Sequence, residues 1–203
     1  MAKVRDFRLE SSKAATVKAA DWPHRFDERK PLPTDPIICI PITSSEEREY
    51  LPVDLLQPET VVSNLAFSLD AREFWTFSLF ASRMLRTWVA AVCSRLELRF
   101  RFTNTVGWNT FPLTKLTEQN KVDLTRCAED ILLAREHYFP ATIADMYNPE
   151  RMDAEFPRVR ASHDANDETL ERIYIGRKFK NDTERLEKLF DLYTKMTKPK
   201  VAA

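Results

Sequence analysis

The segment Leu96-Glu-Leu-Arg-Phe-Arg-Phe-Thr103 alternates apolar residues with charged or polar ones. Such alternation is typical of a half-buried β-strand, because successive side chains of a strand point to opposite faces of the sheet. The pattern predicts a strand over residues 96–103 with its apolar side chains in a core. The charged side chains expected on the outer face are those of Glu97, Arg99 and Arg101. A charged face is often only a solvated surface, so its role depends on the rest of the chain.

Segments upstream of this strand predict further strands and a helix. The apolar run Ile37–Ile40 and the alternating residues from Val61 to Leu69 indicate two strands, and Tyr50–Val53 indicates another extended piece. Helical spacing predicts one long helix over residues 75–96, on the apolar positions Trp75, Leu79, Met84, Trp88 and Val92. Residues 1–36 are polar and contain several prolines, which predicts irregular structure with one short helix.

The second half of the sequence predicts a small helical bundle. Apolar residues at helical spacing indicate a helix over residues 122–136. Pro157 and Gly176 suit the first position and the C-cap of another helix, and Asn181 followed by Glu184 resembles a capping box that opens a last one. The expected fold class is therefore α+β, with an irregular mixed α/β domain followed by a C-terminal helical bundle.

The composition excludes several kinds of site. The 203 residues include only two glycines, Gly107 and Gly176, whereas phosphate-binding loops and dinucleotide turns need several close together. Basic and acidic residues number 31 each, so the net charge gives no overall preference for nucleic acid or membrane. Cys39, Cys93 and Cys127 lack metal-site spacing, which favours a reducing cytoplasm over a disulfide framework. We expect neither a signal peptide nor a membrane span.

No catalytic constellation is recognisable in the sequence. His163 and Asp167 lie four residues apart on one helical face, but no nucleophile lies near them in sequence. A packing or surface hydrogen bond explains such a pair more simply. We expect no catalytic residue and no metal ligand in this chain. An acidic cluster at a binding cleft is left open.

A set of motifs in a fixed order carries a resemblance to a known family. The motifs are Ser44-Ser-Glu46 with Arg48, Tyr50-Leu-Pro52, Ser82-Arg-Met84 with Trp88, Arg95–Phe102, Asn109-Thr-Phe-Pro112 and Ala144-Asp-Met-Tyr-Asn-Pro149. This order resembles the C-terminal part of the MmeI-like type II restriction–modification enzymes, which are also adenine-N6 DNA methyltransferases. The resemblance implies the C-terminal portion of a DNA target-recognition domain over residues 1–115 and a C-terminal helical domain over residues 116–203.

The resemblance also implies domains that this chain does not contain. In the family, a nuclease domain, a helical connector and a methyltransferase domain precede these two, and the glycine-containing loop and Asn-Pro-Pro-Tyr motif of the methyltransferase are missing here. We therefore expect a fragment of a site-specific methyltransferase and endonuclease, without catalytic activity of its own. S-adenosylmethionine and Mg are expected for the full-length enzyme, and double-stranded DNA is the expected partner.

Glu97 and Arg99 are the candidate residues for reading bases. Glutamate can accept a hydrogen bond from cytosine N4, and arginine can donate two hydrogen bonds to guanine O6 and N7. The resemblance supports this role, because the matching positions in the family look like a pair that determines specificity. An exposed salt bridge within one strand is the alternative explanation.

Other candidate DNA contacts surround this pair. The candidate contacts to the DNA backbone are Arg83, Arg86, Arg95, Arg101, Ser44, Ser45 and Arg48. Further possible DNA contacts are Thr103, Asn104, Trp108 and Asn109. Structural roles are the alternatives, because arginines can solubilise a helix, serines can cap one, and tryptophan is more often a core residue. The rival functions are a helical protein-interaction module with a solvated arginine face and, less favoured, an RNA-binding protein, since no aromatic stacking strip is visible.

Overall fold

The structure is a computed structural model that describes residues 1–26 and 31–198. Contacts along the chain form two compact units, Met1–Leu32 and Pro33–Ala203. The larger unit contains all the candidate residues named above. No helix within the described residues combines the length and the apolar character that crossing a membrane requires.

The first unit is more helical than its sequence predicts. It contains α1 (Ala2–Leu9), α2 (Ala14–Lys18) and a 3₁₀ turn at Ala19–Asp21. The Arg8 guanidinium joins these pieces by donating hydrogen bonds to backbone carbonyls, those of Ala19, Trp22 and Arg25. The prediction of irregular structure with one short helix is therefore wrong for this segment, because a side chain supplies contacts that the local pattern does not reveal.

The second unit has the predicted α+β architecture. Its strands are β1 (Ile37–Pro41), β2 (Thr43–Ser44), β3 (Asp54–Leu56), β4 (Ala66–Asp70), β5 (Arg95–Leu96) and β6 (Arg99–Arg101). Its helices are α3 (Trp75–Phe80), α4 (Arg83–Val92), α5 (Glu118–Glu136), α6 (Ile143–Met146), α7 (Met152–Glu155), α8 (Pro157–Ile175) and α9 (Asp182–Thr197). A π-helical turn at Asn104–Trp108 precedes the helical part.

Two small antiparallel sheets lie in the first half of this unit. One sheet has the strand order β3-β1-β4, and the other has the order β2-β6-β5. The predicted strand at Ile37–Ile40 is confirmed, but only the end of the predicted Val61–Leu69 strand is correct. The chain before β4 is a loop in which Val61 and Leu65 are exposed, so its apolar residues do not alternate between a core and solvent.

The predicted long helix over residues 75–96 is instead two helices. Ser82 interrupts it with an extended backbone, and its hydroxyl accepts a hydrogen bond from the Leu85 N–H at 3.2 Å as the N-cap of α4. The prediction of one continuous helix is wrong because the apolar residues of α3 and α4 face the same core across the break. Spacing alone cannot distinguish one straight helix from two helices that share a core.

The helices after residue 115 follow their sequence signals closely. α8 begins at Pro157 and ends at Gly176, whose φ of 77° is the left-handed conformation that favours glycine. The Asn181 side chain caps α9 by accepting from the Glu184 N–H at 3.0 Å. The Glu184 carboxylate accepts from the Lys180 N–H instead of the Asn181 N–H, so half of the predicted capping box forms.

A large hydrophobic core connects the strands with helices α3, α4, α5, α8 and α9, and a second, smaller cluster lies around α6 and α7. Helix α5 packs against α3 on one side and against α8 on another. The fully buried side chains include Ile38, Phe77, Phe80, Met84, Leu85, Trp88, Leu124, Ile131, Leu170 and Leu189. Because this core continues across residue 115, the division into two domains at that position stays a prediction.

Candidate nucleic-acid interface

A short β-hairpin occupies the segment that the sequence pattern predicts to be one strand. β5 and β6 pair antiparallel, and Leu96 lies opposite Arg99. The chain therefore reverses at Glu97 and Leu98, and the prediction of a continuous strand over residues 96–103 is wrong. Glu97 has a φ of 58°, a left-handed conformation that residues other than glycine adopt rarely.

The apolar residues of this segment differ in how deeply they are buried. Leu98 is 68% exposed and Leu96 is 45% exposed, whereas Phe100 and Phe102 are buried. The two phenylalanines enter the core as the alternation predicts, but the two leucines lie near the hairpin tip. The turn contains no glycine or asparagine, the residues that normally mark a hairpin in a sequence. The alternation of apolar and charged residues is then the only local pattern, and it predicts a continuous strand.

The hairpin tip carries an acid and a base side by side. The Glu97 carboxylate and the Arg99 guanidinium form an ion pair at 2.5 Å, and their side chains are 74% and 50% exposed. The structure thus brings together the two candidate base-reading residues, across the turn instead of along a strand. The arrangement presents a hydrogen-bond acceptor and a planar set of donors to solvent at one point of the surface.

Two of the candidate arginines contact the Phe100 ring, Arg86 from helix α4 and Arg95 from the hairpin itself. The Arg86 and Arg95 guanidinium carbons lie 4.9 Å and 4.8 Å from the centre of the Phe100 ring. Arg95 also donates to the carbonyl of Leu98 at 2.9 Å. Burial lowers the pKa of Arg86, which donates to the backbone carbonyls of Glu46 and Arg48 in the turn after β2.

Arg83 lies in a separate cluster of charges. Its guanidinium pairs with Glu49, and its Nη2 and Nε lie 3.7 Å from Asp164 and 3.6 Å from Asp167. Arg160 pairs with the same Glu49 carboxylate at 2.8 Å. The interactions of Arg83 are therefore with carboxylates of its own chain, and its candidate role at DNA stays a prediction.

Arg48 and Arg101 differ from these arginines. Within residues 1–26 and 31–198, neither guanidinium forms a hydrogen bond or an ion pair, and the Arg101 side chain is exposed. Arg101 lies opposite Thr43 where β2 and β6 pair, and so it belongs to the sheet of the hairpin. Among the candidate arginines, these two are therefore the ones without a side-chain partner in the described residues.

The candidate serines lie at the start of the same sheet. Ser44 pairs with Phe100 across β2 and β6, and its buried hydroxyl has no hydrogen-bond partner among the residues that the structure describes. Ser45 follows in a turn, where its Oγ accepts a hydrogen bond from the Glu47 N–H at 3.3 Å. Ser45 is partly exposed and Ser44 is not, so of the two only Ser45 is accessible from outside.

The remaining candidates lie in and around the π-helical turn. The Trp108 ring stacks on Phe80 with ring centres 4.5 Å apart, so this tryptophan packs at the edge of the core. The Thr103 hydroxyl lies 3.9 Å from the Cys93 thiol and is partly buried. Asn104 and Asn109, one at each end of the turn, are exposed and can reach a ligand.

His163 and Asp167 are both buried, and each forms its hydrogen bonds with residues other than its partner in the pair. The imidazole of His163 lies 3.0 Å from the Ala81 carbonyl and stacks on the Tyr50 ring at 4.1 Å. Asp167 accepts hydrogen bonds from the Tyr50 hydroxyl at 3.0 Å and the Arg83 N–H at 2.9 Å. Burial lowers the pKa of His163 and raises the pKa of Asp167 to about 7. Both side chains are buried packing residues, but within the described residues they form hydrogen bonds to other partners and not to each other.

The raised pKa of Asp167 predicts a specific pH dependence of stability. Between its ordinary value of 3.8 and about 7, the unfolded carboxyl is ionised and the folded one is protonated, so folding becomes less favourable as the pH rises. Asp167→Asn removes this titration. We expect the difference in the free energy of unfolding (variant minus wild type) to increase by about 1 kcal/mol per pH unit between about pH 4 and 7. Above that range the difference should stay constant. Urea unfolding over this range measures it.

The exposed Asp191 provides the control for this measurement. Asp191→Asn changes a carboxyl that pairs with Lys195 on the surface and whose pKa is lowered by that hydrogen bond. Its difference from the wild type should stay nearly constant above about pH 4. A constant difference for Asp167→Asn over the same range would show that the buried carboxyl is ionised throughout.

The sequence pattern does not reveal the residues that support the hairpin. In that pattern Phe100 is only one of four alternating apolar residues, and Arg86, which contacts its ring, lies on a different element, helix α4. No local pattern reveals such a contact. Within the described part of the chain, no group of three or more histidine, cysteine, aspartate or glutamate side chains could hold a metal ion.

Comparisons with known proteins give one consistent result. The family described as "MmeI, target recognition domain" matches residues 1–115, and "MmeI, C-terminal domain" matches residues 116–201. DNA methyltransferase A of Bacillus subtilis (strain 168) is 34% identical over 193 residues, which are 95% of this chain and 21% of that protein.

A solved structure of the Type IIL restriction-modification enzyme MmeI in complex with DNA is also similar. It is 30% identical in sequence with a TM-score of 0.88, over 97% of this chain and 26% of that one. The chain thus spans about a fifth of the length of the relative and a quarter of the solved chain. The resemblance identified in the sequence is confirmed, and the chain belongs to the MmeI family through its target recognition and C-terminal domains.

Proposed function

We propose that this chain recognises a specific sequence of double-stranded DNA as a module of a bifunctional restriction–modification enzyme. It would position DNA for adenine-N6 methylation and cleavage, which domains outside this chain carry out. The observation that carries the proposal is the exposed hairpin tip with Glu97 and Arg99 side by side. The similarity to MmeI, whose solved structure is a complex with DNA, supports the same partner.

The hairpin suits the major groove of B-DNA in shape and chemistry. That groove admits a two-stranded β-ribbon, and its base edges offer the partners that an acid and a guanidinium need. In the complex, Glu97 accepts from cytosine N4 and Arg99 donates to guanine O6 and N7 of the same base pair. Separating the exposed ion pair costs only about 0–1 kcal/mol, which the new hydrogen bonds can offset.

The backbone conformation of Glu97 favours a role for its side chain. A residue other than glycine in the left-handed region costs about 1–2 kcal/mol, so glycine would stabilise this turn more. Strained residues often lie at binding sites, where the side chain contributes something that the fold alone does not need. A carboxylate that reads a base is such a contribution.

Arg101 and Arg48 are the proposed contacts to the DNA backbone nearest the hairpin. Both lack ion-pair partners in the described residues, and an arginine can bind a phosphate with two hydrogen bonds. Ser45, Asn104 and Asn109 are accessible and can donate further hydrogen bonds to phosphates. These contacts fix the position of the protein on the duplex but do not select its sequence.

The cofactors belong to other parts of the enzyme in this proposal. We assign S-adenosylmethionine and Mg to the regions of the longer relatives that this chain does not match. The wide separation of the two glycines in the chain, and the packing of Gly107 against Cys93 and the Phe102 ring, support this assignment. A two-domain chain, divided near residue 115, remains part of the proposal.

A salt titration tests the proposed function. The purified chain is expected to bind duplex DNA with an affinity that falls steeply with salt, because bound arginines release counterions from phosphates. Arg101→Ala should lower the slope of log Kd against log salt by about one unit and weaken binding to all sequences alike. Measuring binding of a fluorescent duplex by anisotropy at several salt concentrations gives both quantities.

Arg72 supplies the matched control. It is an exposed arginine at the end of β4, pairs with Asp70 and lies outside the hairpin sheet. Arg72→Ala should leave the slope unchanged. Absence of duplex binding by the wild-type chain even at low salt would reject DNA recognition by this chain and favour a protein-interaction module.

A further inference from the structure

We propose that Arg86 and Arg95 position the hairpin that reads the bases, by holding Phe100 and the turn. The inference rests on the proposed function for the DNA-binding role of the hairpin. It assigns a different role to two arginines that the sequence pattern grouped with phosphate contacts. It also explains how so short a hairpin keeps a defined shape.

The hairpin needs support from outside its own strands. β5 has two residues and β6 has three, and isolated two-stranded hairpins are at best marginally stable in water. Strand β2 extends this sheet, but it pairs only with Phe100 and Arg101 and not with the tip. The left-handed backbone conformation of Glu97 adds a further free-energy cost to the turn. The tip could therefore fray in the free protein unless other groups hold it. A frayed tip would discriminate poorly between bases, because ordering it would reduce the free energy of binding.

Arg95 braces the hairpin from within. Its Nη1 donates to the carbonyl of Leu98 at 2.9 Å, which ties the first residue of β5 to the turn. Its guanidinium carbon also lies 4.8 Å from the centre of the Phe100 ring, within the range of a cation–π contact. A backbone hydrogen bond from Arg101 N–H to the Ser94 carbonyl, at 3.0 Å, closes the other end of the hairpin. The side chain of Arg95 therefore connects the start of β5 to the turn that follows it.

Arg86 connects the hairpin to helix α4. Its Nε donates to the Arg48 carbonyl at 3.1 Å, and its Nη2 donates to the Glu46 carbonyl at 2.8 Å. The same guanidinium lies 4.9 Å from the centre of the Phe100 ring, and its Nη1 faces Asp182 at 3.8 Å. Every nitrogen of this guanidinium therefore has a neighbour within the protein. A phosphate contact would have to displace one of these neighbours.

Phe100 is the point at which the two arginines meet. It is 4% exposed, lies opposite Arg95 in the hairpin and opposite Ser44 in the neighbouring strand. The ring is held on one side of the sheet, and the exposed Arg99 and Arg101 flank it in sequence. Fixing Phe100 therefore fixes the orientation of β6, which carries Arg99.

Arginine-to-lysine changes separate positioning from phosphate binding. Lysine keeps the positive charge, so a phosphate contact largely survives, but it lacks the planar fork that donates and stacks at the same time. We compare Arg95→Lys and Arg86→Lys with Arg101→Lys as the matched control, and each variant is checked for folding by its thermal unfolding midpoint. If Arg95→Lys does not fold, Arg95→Gln replaces it in the comparison, because glutamine keeps an amide donor but carries no charge.

The first measurement needs no DNA. Hydrogen exchange of the backbone amides is followed in the free chain, with attention to the Arg101 N–H that bonds Ser94. Arg95→Lys and Arg86→Lys are expected to accelerate this exchange by about tenfold, and Arg101→Lys should leave it unchanged. Equal exchange in all variants would overturn the positioning role, whether or not the chain binds DNA.

The second measurement uses selection from a pool of random duplexes. Arg95→Lys and Arg86→Lys are expected to flatten the preference at the base pair read by Glu97 and Arg99, while the salt dependence keeps its slope. A retained preference with unchanged exchange would mean that these arginines are ordinary charged contacts. If the wild-type chain binds no duplex, the proposed function fails, and the exchange measurement alone decides whether Arg86 and Arg95 hold the hairpin.

Discussion

Reversing the two charges at the hairpin tip should invert one base pair of the DNA target. In a full-length enzyme that carries this recognition region, Glu97→Lys combined with Arg99→Asp exchanges the acceptor and the donor. Lysine then suits guanine and aspartate suits cytosine, so C·G becomes G·C at that position and the other positions are unchanged. Sequencing the sites at which the variant methylates DNA measures the result.

Each single charge change should lose recognition instead of changing it. Either one leaves a buried charge facing the wrong base edge, at a cost of about 1–3 kcal/mol, which is roughly a tenfold to hundredfold loss of affinity. The fold should tolerate all of these variants, because both side chains are exposed at the tip. If the double variant methylates the original site unchanged, the pair is a surface salt bridge without a role in reading bases.

Glycine substitutions supply a control for backbone effects at the tip. Glu97 and Glu59 both have positive φ, at 58° and 64°, and both are exposed, but only Glu97 lies in the hairpin. Glycine should relieve strain equally at either position and stabilise the chain slightly. Glu97→Gly should also lose discrimination at one base pair, whereas Glu59→Gly should keep it.

The largest expected effect on stability comes from a buried ion pair in the helical part. Arg185 on α9 donates to the Glu171 carboxylate on α8 at 2.8 Å through Nε, and both side chains are almost fully buried. Glu171 also accepts from the Phe179 N–H at 2.8 Å. Arg185→Ala leaves a buried carboxylate without its partner and is expected to destabilise the chain by about 3–5 kcal/mol. Guanidinium chloride unfolding measures this loss.

An exposed pair on the same helix is the matched control. Lys195 pairs with Asp191 at 2.7 Å on the surface, and Lys195→Ala should change stability far less than Arg185→Ala does. The double variant Arg185→Ala with Glu171→Ala should lose less than the sum of the two single changes, because removing the second charge relieves the first. Additive losses would mean that the two side chains do not interact as the structure indicates.

Local interactions let the sequence predict much of the helical part. Pro157 begins α8, Gly176 ends it, and Asn181 caps α9, because each acts on backbone groups within a few residues. The ordered motifs also sufficed to identify the family. Glu97 and Arg99 were expected on one face of a single strand; they do lie side by side, but across a hairpin turn.

The tertiary structure alone decided the break between α3 and α4, the reversal at Glu97 and Leu98, and the partners of the arginines. Residues on both sides of the break face one core, and alternation is compatible with a strand or a hairpin, so the local pattern is the same in each case. In the hairpin Phe100 is buried beside Arg86 of α4, a contact beyond the range of the alternating pattern. The sequence determined which side chains the tip presents, and long-range packing determined how it presents them.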